Sequence, residues 1–199
     1  PLFKSKSKNI DKTSSYNIRF DVQIMKPQQI LNWQSSEILR TFQNQEIESW
    51  LLEKGPITER IRSSSNFKLE VLKDEFAPID SINDDLIIKN FPTNKVREVK
   101  LFADDNEFVF ARSIIPQETI HQGLSLLGNI KDKPLGDIIF SEPNISREIF
   151  LYAKFQYQHQ EIWGRKIIYT VNNYPFSIAE VFIVAMKASC SIGKLNLRL

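Results

Sequence analysis

The stretch Trp163–Val184 (W-G-R-K-I-I-Y-T-V-N-N-Y-P-F-S-I-A-E-V-F-I-V) constrains the fold more than any other. Two apolar runs flank Asn172-Asn173. Asn tolerates the left-handed backbone that a two-residue hairpin loop requires, so the pair predicts a tight antiparallel hairpin. Side chains alternate faces along a strand. Phe176, Ile178, Glu180, Phe182 and Val184 therefore share one face, and Glu180 is the only ionisable group among them. A carboxylate in such company costs several kcal/mol, roughly, unless it is paired or protonated. A buried arginine partner or a ligand is expected beside it.

A second hairpin is expected over Val96–Pro116, turning at A-D-D-N-E (Ala103–Glu107). Arg97, Val99 and Leu101 share a face of its first strand; Phe108, Phe110, Arg112 and Ile114 share a face of its second. Both arginines fall on an apolar parity, as Glu180 does. Pro116 ends the strand because it cannot donate to a ladder. Phe67, Leu69 and Val71 alternate with polar neighbours and read as a further strand.

Helices are expected earlier. Ile47, Trp50 and Leu51 recur at helical spacing and stop near Gly55-Pro56, with a new element starting at Thr58. Pro27 suits a first helical turn containing Ile30, Leu31 and Trp33, and Ser36 suits a cap. Ile120–Leu127 reads as a helix ending at Gly128, Lys133–Gly136 as a turn, and Ser146 as the cap of a short segment with Ile149 and Phe150. Tyr152–Glu161 carries no clear pattern. The sum is an α+β chain: an antiparallel sheet of about six strands with helices packed on one face. The expected division is an N-terminal extension (1–45), one domain (46–185) and a C-terminal tail (186–199).

The net charge of +2 lacks the footprint of a polyanion-binding protein. Residues 1–19 hold five of the basic side chains against Asp11, and read as a solvated tail. A single cysteine, Cys190, suits a reducing compartment. No apolar run reaches the ~18 residues of a membrane span, and no secretory pattern follows the first lysines. Abundant Ile, Asn, Lys and Phe suit AT-rich coding DNA, as in a plastid or an AT-rich bacterium. His121 and His159 lie far apart without ligand spacing to Cys or carboxylates, so no metal is expected. No glycine-rich phosphate cradle is present, so no nucleotide cofactor is expected either.

What remains is Arg97, Arg112 and Glu180. One reading is a buried ion network that fixes strand pairing. The other is an anion site in an apolar cavity, where arginine forks hold a carboxylate and a buried carboxyl group acts as acid or hydrogen-bond partner.

Six pieces, in order, resemble the chorismate pyruvate-lyase family: W-L-L-E-K-G-P-I-T (Trp50–Thr58), V-R-E-V-K-L (Val96–Leu101), F-A-R-S-I-I-P (Phe110–Pro116), L-G-N-I-K-D-K-P-L-G-D-I-I-F (Leu127–Phe140), I-W-G-R-K (Ile162–Lys166) and A-E-V-F (Ala179–Phe182). The resemblance implies an antiparallel sheet with a buried ligand pocket under two flaps. It implies a cofactor-independent lyase that converts chorismate to 4-hydroxybenzoate and pyruvate, for quinone biosynthesis or another product, in a plastid stroma or a bacterial cytoplasm. It implies substrate binding by Arg97 (ring carboxylate), Arg112, Ile57, Leu135 and Glu180 (near the ring's 4-oxygen), with Glu180 and Arg112 catalytic. The family commonly has Met at the position of Ile57. The alternatives are a non-catalytic domain that binds small aromatic acids on the same fold, and a divergent member with another role. A monomer is expected.

Overall fold

The computed structural model describes residues 25–41, 44–79, 88 and 91–183. Among the described residues seven strands form one antiparallel sheet: β1 (Gln28–Gln29), β2 (Phe67–Ala77), β3 (Asn94–Ala103), β4 (Asn106–Pro116), β5 (Ile145–Tyr157), β6 (Gln160–Val171) and β7 (Tyr174–Phe182), in the order β1-β5-β6-β7-β4-β3-β2. Three short helices, α1 (Gln45–Leu51), α2 (Ile57–Arg62) and α3 (Leu135–Ser141), complete the main elements. The α+β class and the antiparallel sheet are as expected, with one strand more. No described helix is long and apolar enough to cross a membrane.

The β6–β7 hairpin turns at Asn172-Asn173, both with positive φ (50° and 70°), so Val171 pairs with Tyr174. Two further two-residue loops turn at Asp104-Asp105 and at Gln158-His159. In the latter, Gln158 and His159 also take positive φ (46° and 65°). Neither residue is the Gly, Asn or Asp that marks such a loop in a sequence, which is why Tyr152–Glu161 carried no hairpin signal. Ser146 and Ile149 lie in the long strand β5, not in a capped segment. Leu135 and Gly136, expected in a turn, begin α3, which runs to Ser141. Ile120–Leu127 is covered by a π-helical turn (Thr119–Gly123) and a 3₁₀ turn (Ser125–Gly128) rather than one α-helix.

Three β-bulges decide which side chains face which side. Each places two residues of one strand opposite one of its neighbour. Pairing shifts between Leu101 and Phe102 opposite β4, leaving Phe108 as the extra residue. It shifts between Val71 and Lys73, leaving Leu72, and between Arg147 and Ile149, leaving Glu148. A slip of one residue moves every following side chain to the opposite face.

The sheet is apolar on both sides. One face carries Val99, Leu101, Val109, Ala111 and Phe182 under α1 and α2. The same face continues into Ile115, Ile167, Tyr169, Phe176 and Ile178 beneath α3. The opposite face carries Phe110, Ala153, Phe155, Ile162 and Val181, with Trp33 against them. The expected boundary at residue 45 is not a structural break. Pro27 precedes an edge strand instead of a helix, since β1 pairs with β5. Leu39, in a 3₁₀ helix over Ser36–Thr41, enters the core. Cys190, Val184 and the C-terminal tail lie outside the described residues.

Candidate functional site

Two proline-led segments roof the helix-bearing face. Pro56 precedes α2 and Pro134 precedes α3, each in extended backbone that launches a helix at the next residue. The two flaps meet: Thr58 Oγ1 donates to Asp137 Oδ1 at 2.8 Å, and Arg62 reaches both Asp137 carboxylate oxygens at 3.1–3.2 Å. Beneath them lies a narrow cavity. Its walls are Val99, Leu101, Ala111, Ile139 and Ile178, with Ile57 and Leu135 from the flaps. The only charged side chains among its lining residues are Arg97, Arg147, Arg165 and Glu180.

Each arginine is anchored to the base of a flap. Arg97, 2% exposed on β3, donates from Nη1 to Asp74 Oδ2 at 3.1 Å and from Nη2 to the Lys133 carbonyl at 3.0 Å. The bulge at Leu72 is what brings Asp74 opposite Arg97. Burial lowers the Arg97 pKa, opposed by the Asp74 charge. Arg165, 3% exposed on β6, donates from Nε to Glu180 Oε2 at 2.6 Å. Its Nη1 donates to the carbonyls of Glu53 (2.6 Å), Leu51 (3.3 Å) and Trp50 (3.4 Å), which satisfies acceptors left open at the end of α1. Arg147 on β5 donates to the Lys54 carbonyl and lies over the Phe140 ring at 4.3 Å. Tyr169, beneath Arg147, has its pKa pushed up to about 12, chiefly by burial and then by the Glu180 charge.

Arg97, Glu180, Ile57 and Leu135 therefore meet in one cavity. Arg112 does not join them. It lies on the opposite face, ion-paired at 3.2 Å with buried Glu98 in a separate cavity that Trp33 and Phe155 also line. The reason is the bulge at Phe108. An uninterrupted two-residue hairpin would pair Arg97 with Arg112 on one face; the extra residue pairs Arg97 with Ser113 instead. In β4 Phe110, Arg112 and Ile114 share a face as expected, but Phe108, the extra residue, turns to the other face and packs on Trp50 at 4.8 Å; both faces of the strand are apolar, so parity could not say which one looks at Arg97. The residues missed are Arg165 and Arg147. Arg165 was legible: the Asn-Asn loop fixes the β6–β7 register, and counting back from Val171↔Tyr174 puts Arg165 opposite Glu180. Arg147 depends on a bulge and carries no such signal.

The profile of the family described as chorismate lyase matches residues 27–188. The chain belongs to the chorismate lyase family. A "Probable chorismate pyruvate-lyase" of Pseudoalteromonas atlantica is 35% identical over 159 residues, covering 70% of this chain and 80% of that protein. The "Chorismate pyruvate-lyase" of Hamiltonella defensa is 29% identical over 147 residues, covering 73% and 82%. A "Probable chorismate pyruvate-lyase" of Methylococcus capsulatus is 27% identical, covering 70% of this chain and 96% of that protein. The chorismate lyase match takes in every residue of the cavity, and it begins before the expected domain start at residue 46.

Proposed function

We infer that this chain is a chorismate pyruvate-lyase, converting chorismate to 4-hydroxybenzoate and pyruvate. The observation that carries the reading is the charge of the cavity lining: three arginines against one carboxylate. Chorismate brings two carboxylates, one on the ring and one on the enolpyruvyl ether. A cavity lined with a net excess of two positive charges suits a dianion in surroundings where screening by water is weak. The family and the names of its bacterial members give the reading its substrate.

Arg97 takes the ring carboxylate. Its fork spends one Nη on Asp74 and the other on the Lys133 carbonyl, and a guanidinium has five N–H donors in all. Glu180 stands on β7, the central strand, and meets the far end of the ring. As the ion-pair partner of Arg165 it is an acceptor, so it is suited to take a hydrogen bond from the ring's 4-hydroxyl rather than to donate to the ether oxygen. Arg165 holds that carboxylate in place. The C4–H and C3–O bonds break, the ring becomes aromatic, and the departing enol takes up a proton at its methylene carbon to become pyruvate. Protons balance and no oxidant is consumed. The protein's part is orientation, charge matching and exclusion of water by the joined flaps. Ile57, 3% exposed, packs into the core and borders the cavity, so its side chain shapes the space where the family commonly has Met. Arg112, on the other face, has no part in this chemistry. A bacterial-cytoplasmic or plastid-stromal setting and a supply line to quinones belong to the same reading, supported by the composition and the resemblance only.

The test is to mix purified protein with chorismate and follow both products. Equimolar 4-hydroxybenzoate and pyruvate, formed well above the spontaneous rate, is the expected result. Saturable binding without turnover would overturn the lyase in favour of a small-acid binding domain.

A further inference from the structure

Arg147 is placed by an irregularity. Without the bulge at Glu148, the hairpin register would pair residue 147 with Thr170 and turn its side chain away from the cavity. With it, Arg147 pairs with Tyr169, which faces in. Glu148 is taken up elsewhere, accepting from Ser146 and Thr170 hydroxyls. Bulges that re-aim one side chain are frequent next to active sites. Arg147 also lines both the inner cavity and an open depression outside it, shared with Phe140, Glu142 and Pro143. It therefore stands at the boundary between the cavity and solvent.

Its strand position is informative. In sheet order the cavity charges run Arg97 on β3, Glu180 on β7, Arg165 on β6 and Arg147 on β5. Arg97 and Arg147 are the two ends, on opposite walls of the curled sheet, with Glu180 between them. Arg165 is committed to Glu180 and three carbonyls. Arg147 is engaged by one carbonyl, one ring face and the Tyr169 hydroxyl. Those contacts use a minority of a guanidinium's five donors and fix its plane, which is the preorganisation a carboxylate receptor needs.

We propose that Arg147 is the receptor for the substrate's second carboxylate, that of the enolpyruvyl group, at the cavity mouth opposite the ring-carboxylate site of Arg97. The proposal rests on the lyase reading and gives it a discrimination that Arg97 alone cannot supply. Arg97 meets a carboxylate common to substrate and 4-hydroxybenzoate. Arg147 meets one that only the substrate carries. Substrate is then held at both ends and product at one.

The experiment compares two ligands across Arg147→Ala, Arg147→Gln and Arg147→Lys. Steady-state KM and calorimetric Kd are measured for chorismate, and calorimetric Kd for 4-hydroxybenzoate. The expected result is chorismate weakened by about 30-fold in the Ala and Gln variants, as for loss of a charged hydrogen bond. Lys should recover part of the loss, and 4-hydroxybenzoate affinity should stay within about threefold throughout. The flaps keep their own Thr58–Asp137 and Arg62–Asp137 contacts in these variants. Equal weakening of both ligands would make Arg147 a structural clasp and overturn the proposal, as would unchanged chorismate binding. Gln and Lys carry the test if Ala does not fold. Failure of the lyase reading is seen separately, as absence of turnover by the wild-type protein, while the ratio of the two binding effects still judges Arg147.

Discussion

Arg165 and Glu180 are register partners across β6 and β7, and Nε of the one donates to Oε2 of the other at 2.6 Å. Both requirements set by a charge on an apolar strand face are met by one residue: Glu180 gains a cation, and that cation is itself satisfied by carbonyls at the end of α1. Removing one partner of such a pair leaves the other buried and uncompensated, at about 3–5 kcal/mol for a fully buried pair. Arg165→Ala should therefore lower stability by several kcal/mol and cut kcat/KM. Arg165→Ala combined with Glu180→Gln should regain part of the stability and none of the activity. Denaturant titration and chorismate kinetics read the two separately; equal stability of Arg165→Ala and wild type would remove the pair from this role.

Glu180→Gln alone keeps an acceptor oxygen but loses the charge. It should reduce kcat by about 10²-fold or more with a smaller change in 4-hydroxybenzoate affinity. Turnover at the wild-type rate would take Glu180 out of the reaction.

Arg97→Ala should act on binding first. Loss of a charged hydrogen bond to the ring carboxylate is worth about 1.5–3 kcal/mol, or roughly 10- to 150-fold. The loss should appear for chorismate and 4-hydroxybenzoate alike, unlike the split expected at Arg147. The same substitution strands Asp74, which also pairs with Lys95 at 3.0 Å, so a modest loss of stability should accompany it.

Glycine is required at position 164. A Cβ there would lie 2.8 Å from the Phe155 ring, 3.0 Å from the Glu180 carbonyl oxygen and 3.1 Å from Val181 Cγ2. A backbone oxygen cannot swing aside as a side chain does. Gly164→Ala should cost about 1–3 kcal/mol through overpacking, and because Gly164 adjoins Arg165 it should lower kcat as well. A melting temperature equal to that of wild type would contradict this.

The legible part of this molecule is what period and turn chemistry specify. Alternation in β7 put Glu180 among apolar neighbours, and the Asn-Asn loop fixed the register that makes Arg165 its partner. The helical spacing of Ile47, Trp50 and Leu51 gave α1. What escaped was set by single extra residues. Phe108, Leu72 and Glu148 each insert into a ladder and reverse the faces that follow. One insertion sends Arg112 to the far side, one brings Asp74 to Arg97, and one turns Arg147 inward. None has a composition that marks a bulge. A sheet apolar on both sides offers no polar face against which a reversal would show.

Alkaline pH gives a test of the buried face that is independent of substrate. Tyr169, 5% exposed and stacked on Phe176 at 5.1 Å, has its pKa raised from the ordinary 10.0 to about 12 by burial and by the Glu180 charge. Tyr157, whose hydroxyl donates to Glu107 at 2.6 Å, is likewise pushed up to about 12. Below pH 10 both phenols are neutral in the folded and the unfolded chain, and their contribution is fully present. Between pH 10 and about 12 the unfolded chain releases these protons and the folded one keeps them, so stability falls as pH rises. One pKa unit is worth 1.36 kcal/mol, so the buried Tyr169 contributes a loss of about 2–3 kcal/mol across that window. Tyr169→Phe should therefore flatten part of the alkaline slope of unfolding free energy while leaving stability near pH 8 within about 1 kcal/mol. Tyr157→Phe should flatten another part. Denaturant titrations at pH 8, 10, 11 and 12 decide it, and an unchanged slope in Tyr169→Phe would mean that this hydroxyl is not held in the apolar wall beside Glu180.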